Sequence, residues 1–164
     1  MAKEGIYLTP TLSCYGIMLR KPFENFLSPD CRDKSVEVMQ TGLEALKIAN
    51  DAGVTICYGS DLLISMQALQ TGGSLPRCST DEVEEFTVRS AVLDAPTLLR
   101  QATTNPAKML KQEGRLGTIA PGALADLLIL DKNPLQDITV LDRPELYLKA
   151  VYKAGRLYKD ELHL

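Results

Sequence analysis

The stretch Gly53-Val54-Thr55-Ile56-Cys57-Tyr58-Gly59-Ser60-Asp61 decides how this chain is read. Val54 to Tyr58 is an apolar, β-branched run bounded by glycines, the pattern of a short buried strand. It delivers Asp61 just past its C-terminal end, the edge where parallel α/β folds gather their catalytic groups. A carboxylate placed there can bind a metal through one oxygen and take a proton from metal-bound water with the other. The plainer alternative is a turn residue or helix cap, which is what an aspartate after a strand usually is.

Upstream of this stretch, Val36, Met39, Leu43, Leu46 and Ala49 recur at three- and four-residue steps. That spacing makes one apolar stripe and predicts a helix from about Asp33 that ends at Gly53. The polar, proline-containing stretch from Arg20 to Asp33 reads as loop, and Gly5 to Leu12 as another buried strand running into a loop. Strand, helix, strand with tight connections is the βαβ unit of a parallel sheet.

Downstream, a glycine-rich loop spans Gly59 to Thr80, and Ser79 with Glu82 forms a capping-box signature for the next helix. Asp94 ahead of Pro96, and Asn105-Pro106, mark two further helix starts. Beyond Gly114 the texture changes to short strands and turns. Gly117 to Gly122 and Ala125 to Leu130 read as strands, with Gly117 and Gly122 as turn glycines. Ala150 to Lys153 and Arg156 to Tyr158 form a hairpin candidate around Ala154-Gly155.

Hydrophobic residues make up 45% and charged residues 24% of the 164, the balance of an ordinary globular protein. The net charge of -3 is dispersed, with no basic stripe to track nucleic acid. No apolar run approaches the roughly 20 residues of a membrane span. The four cysteines, Cys14, Cys31, Cys57 and Cys78, include no C-x-x-C pair and read as free thiols in a reducing compartment. The expectation is a cytoplasmic protein without nucleic-acid or membrane partners. The one histidine, His163, reads as a tail residue.

Four motifs in order carry a family resemblance: Gly53 to Asp61, Ala102-Thr-Thr-Asn-Pro-Ala107, Gly117-Thr-Ile-Ala-Pro-Gly-Ala-Leu-Ala-Asp-Leu127, and Asn133-Pro-Leu-Gln-Asp137. Together they closely resemble the C-terminal part of amidohydrolase-superfamily enzymes, nearest the imidazolonepropionase-like and Xaa-Pro dipeptidase (prolidase-type) branch. The resemblance implies an α/β fold: the last two strands and helices of a TIM-like (β/α)8 barrel, plus a small β-sandwich-type unit. The barrel part would be residues 1–113, the β unit 114–160 and a tail 161–164. Gly5 to Leu12 and Val54 to Tyr58 would be the seventh and eighth barrel strands.

On the same resemblance Asp61 is both the catalytic residue and a metal ligand. It would take the proton of the attacking water and pass it to the leaving nitrogen as a C–N bond breaks. The implied cofactor is a divalent metal, zinc in most members, and the implied substrate a small amide, cyclic amide or peptide. Asn105 would start a helix under the barrel, Asp126 would order a turn or ladder in the β unit, and Ser60 and Gln67 would be polar neighbours of Asp61.

The family also uses a His-x-His pair after its first strand, a lysine or carboxylate after its fourth, and histidines after its fifth and sixth. None of these lies in the matching stretch, whereas a catalytic zinc keeps three protein ligands. The isolated chain is therefore expected to be inactive and to hold no metal stably. Its strand edges would need cover from a missing N-terminal barrel portion or a homo-oligomer partner. A second possibility is a non-catalytic truncated relative serving as an interaction module. A third is a stand-alone hydrolase with a metal held by Asp61 and cysteines.

Overall fold

The computed structural model describes residues 1–20, 27–61 and 84–162. Gln67, Cys78, the Ser79–Glu82 capping pair, His163 and most of the glycine-rich loop lie outside them. The predicted amphipathic helix is α2, Pro29–Asp51. It begins four residues earlier than the stripe suggests, because the Ser28 hydroxyl accepts from Cys31 N and Pro29 fills the first turn, where no N–H is needed. Gly53, at φ 72, turns the chain out of it. Leu46 is 1% exposed and, with Leu12 and Ile56, centres a core cluster joined by Met39, Leu43 and Ala49. Val36, at the start of the stripe, stays exposed.

The two predicted strands do run parallel, but they meet at a single bridge, Leu8 to Ile56. Leu8 N donates to Thr55 O at 3.0 Å and Cys57 N to Leu8 O at 2.8 Å. The ladder stops in both directions for local reasons. On the upstream side Ile6 N is already used, donating to Met1 O across the 3₁₀ turn Ala2–Glu4. On the downstream side the next donor in register would be residue 10, and Pro10 has no N–H. The expected strand from Gly5 to Leu12 is thus shortened to its centre, Ile6 is half exposed, and Leu12 already opens helix α1, Leu12–Ile17.

After the undescribed segment, α3 spans Glu85–Arg89, α4 Ala95–Ala102 and α5 Thr104–Met109. Asp94 caps α4 as expected, accepting from Thr97 N at 2.9 Å. Phe86 and Leu98 form a second core cluster with Ile138, against which Tyr58, Leu99 and Leu141 pack.

The C-terminal part holds one antiparallel sheet in the order β1-β2-β3, from Leu127–Leu130, Leu148–Lys153 and Arg156–Asp160. The expected hairpin turns at Ala154 and Gly155, both left-handed at φ 49 and 79, the geometry of a two-residue hairpin turn. Asp126 organises that turn, accepting from Lys153 Nζ at 2.6 Å and Ala154 N at 2.7 Å. Gly117 to Gly122, read from the sequence as a strand, is instead a run of turns with both glycines at positive φ. A 3₁₀ helix, Ile138–Asp142, and a short α6, Pro144–Tyr147, connect β1 to β2. Among the described residues, no helix is long and apolar enough to cross a membrane.

Candidate functional site

Asp61 leaves the end of the Val54–Tyr58 segment with φ 53, one of three non-glycine residues at positive φ among those described. Aspartate tolerates that region better than most side chains, but it still carries strain of a kind that collects at functional sites. The carboxylate is exposed. Just before it, the chain passes so close to Thr9 that a Cβ on Gly59 would lie 2.6 Å from Thr9 Cγ2. The ends of the two parallel segments are therefore drawn together beneath Asp61. Burial, and then the negative charges of Asp61 and Glu85, push the Cys14 thiol up, so Cys14 of α1 lies within electrostatic reach of Asp61.

Under this edge sits a polar cluster that the sequence reading missed. Glu85 and Arg89, four apart on α3, form an ion pair at 2.6 Å with both side chains 0% exposed. Arg89 Nη1 donates to Cys57 O at 3.2 Å and to Gln101 Oε1 at 3.0 Å, and Nη2 donates to Pro10 O. Glu85 accepts from Leu12 N at 3.2 Å and Ser13 N at 2.7 Å, closing the N-terminus of α1 from 73 and 72 residues away. With nearly every donor and acceptor engaged, the pair meets the condition under which buried charges are tolerated. Its only local signal was the Glu-to-Arg spacing of four residues on one helix turn.

The other edge of the Ile56–Tyr58 segment is not bare either. Tyr58 N donates to Gln101 O at 2.7 Å and Asn105 Nδ2 donates to Ile56 O at 2.7 Å. Asn105, expected as a helix start, thus also holds α5 against the segment that carries Asp61. Asp142, likewise missed, accepts from Thr87 N at 2.6 Å and Phe86 N at 3.4 Å and so closes α3. Burial pushes its carboxyl up despite those hydrogen bonds.

Residues 1–157 match the Amidohydrolase family. This chain belongs to it. The ochratoxinase of Aspergillus niger is 28% identical over 160 residues, covering 97% of this chain and 30% of that protein. A solved prolidase, in complex with N-methylphosphonate-L-proline, is 36% identical with a TM-score of 0.78 over 96% of this chain and 36% of its own. A Xaa-Pro dipeptidase with methionine bound in its active site is 28% identical, with a TM-score of 0.74 over 97% of this chain and 36% of its own. The chain therefore spans about a third of the length of these relatives.

Members of the amidohydrolase superfamily generally use divalent metals. Among the described residues no three His, Cys, Asp or Glu side chains come together as a metal-binding group. Asp61 and the nearby Cys14 fall short of the three protein ligands of a catalytic zinc. The described residues do not by themselves make a metal centre.

Proposed function

We propose that this chain provides the Asp61-bearing end of an amidohydrolase that cleaves a C–N bond in a small amide or peptide, with Xaa-Pro dipeptides the first class to try. The observation that carries the reading is the placement of Asp61. It is an exposed, left-handed carboxylate at the C-terminal end of a parallel bridge, in a chain with 36% identity to a prolidase across nearly its whole length. In this reading the Leu8 and Ile56 segments are the seventh and eighth strands of a (β/α)8 barrel. Residues 114–160 are the β unit beside it, and Asp61 offers one carboxylate to a divalent metal centre, most simply zinc. The remaining ligands come from barrel strands outside the matched third. Asp61's own part is to hold the proton of the attacking water at a carboxylate oxygen and release it to the departing nitrogen.

The test is a graft in which residues 1–162 replace the matching third of the 36%-identical prolidase, assayed on Xaa-Pro dipeptides with added zinc or manganese. The folded graft is expected to hydrolyse them, and Asp61→Asn to lower kcat by roughly 10²–10⁴-fold, the range of a positioned acid–base group. A folded graft without activity, or one indifferent to Asp61→Asn, overturns the reading.

A further inference from the structure

The geometry around Pro10 assigns a role to Arg89: we infer that it is the positioning residue for Asp61, because its guanidinium stands in for a missing rung of the parallel ladder. A parallel ladder that pairs Leu8 N with Thr55 O and Cys57 N with Leu8 O continues with residue 10 N to Cys57 O and Gly59 N to residue 10 O. Pro10 cannot make the first of these bonds. The two carbonyls of that rung, Cys57 O and Pro10 O, both accept from Arg89, one from each terminal nitrogen.

A backbone rung would hold the segments at the usual strand spacing of about 4.8 Å. Here the Arg89 guanidinium bridges the two carbonyls instead, two residues before Gly59. The direction in which Gly59, Ser60 and Asp61 leave the strand is thus set by a side chain from α3. Arg89 is itself fixed by Glu85 through Nε and by Gln101. It also lies over the Tyr58 ring, 5.6 Å from its centroid. Lysine could not do this work, since it offers a point charge where two carbonyls and a carboxylate need a planar fork. The inference rests on the proposed function only for what Asp61 does once placed.

The experiment uses the full 164-residue chain, labelled for NMR, with amide hydrogen exchange as the readout. In Arg89→Lys, exchange at Cys57 and Tyr58, whose amides donate to Leu8 O and Gln101 O, is expected to speed up at least tenfold, and the amide resonances of Gly59, Ser60 and Asp61 and the Asp61 carboxyl carbon resonance to move. The amides of β2 and β3 should keep their rates. Pro10→Ala in the Arg89→Lys background returns the missing N–H and should restore slow exchange at Cys57 and Tyr58. Unchanged rates at Cys57 and Tyr58 with unmoved resonances at Gly59 to Asp61, or equal acceleration along the whole chain, overturn the inference. Should Arg89→Lys fail to fold, the double variant Pro10→Ala/Arg89→Lys decides: its backbone N–H takes the place of the guanidinium at Cys57 O, and a double variant that folds no better than Arg89→Lys counts against the assignment. In the graft described above, Arg89→Lys should lower kcat at least tenfold with KM held within twofold. The exchange rates do not depend on catalysis, so an inactive graft together with locally accelerated exchange in the Arg89→Lys chain would sink the hydrolase reading and leave this one standing.

Discussion

The side-chain amide of Asn105 donates to the backbone carbonyl of Ile56 at 2.7 Å, joining residues 49 apart in the sequence. Ile56 is 1% exposed, so water is poorly placed to replace this donor. Asn105→Ala is expected to cost about 1–3 kcal/mol, the penalty for stranding a buried polar group. Urea unfolding of the two chains measures it, and a midpoint equal to wild type would show that the bond is dispensable.

Glu85→Gln tests the buried pair from its acidic side. It keeps the size of the side chain but leaves the Arg89 charge in a fully buried site without its counter-charge. A loss of about 3–5 kcal/mol is expected, as for other buried pairs with one partner removed. Lys34→Ala, which breaks the exposed Lys34–Glu37 pair on α2, should leave stability nearly unchanged in the same assay.

Two left-handed glycines should respond differently to alanine. At Gly117, φ is 68 and a Cβ would stand 2.2 Å from Thr103 O, a backbone atom that cannot swing aside. At Gly122, φ is 88 but the space around it is open. Gly117→Ala should cost roughly 2–4 kcal/mol, combining strain and overlap, and Gly122→Ala about 1–2 kcal/mol from strain alone. Equal effects by thermal unfolding would mean that the close approach of Gly117 to Thr103 does not matter.

The hydrogen bond from Lys153, then that from Ala154 N–H, holds the Asp126 carboxyl below its ordinary value of 3.8. A group lowered on folding contributes stability that is present above 3.8 and is lost as the pH falls through its folded-state value. Asp126→Asn should therefore lower the melting temperature at about pH 6, with the difference from wild type shrinking toward about pH 2. A difference that stays constant over that range would mean that the Asp126 charge is not what steadies the hairpin turn.

What local pattern controls was legible in the residues: the α2 stripe, the Asp94 cap and the Ala154-Gly155 turn, whereas the expected strand before Asp61 is reduced to one bridge at Ile56. Each depends on neighbours within about four positions, where spacing and backbone preference act directly. The single-bridge pairing was also partly written there, since Pro10 forbids the next rung, although the strand pattern around it reads as continuous.

What only the tertiary structure decided is how the short pieces are held. Helices of five and six residues, α3 and α1, are too short to persist alone. They are closed by carboxylates from afar, Asp142 on α3 and Glu85 on α1. Arg89 and Asn105 likewise bond strand carbonyls 32 and 49 residues away. No periodicity records such partners, because each bond is set by where the backbone folds back rather than by what precedes it. The sequence by itself determined the amidohydrolase ancestry and the position of Asp61 just beyond the segment that bridges to Leu8. The direction in which that carboxylate leaves the strand depends on a buried guanidinium and a proline that meet only in three dimensions.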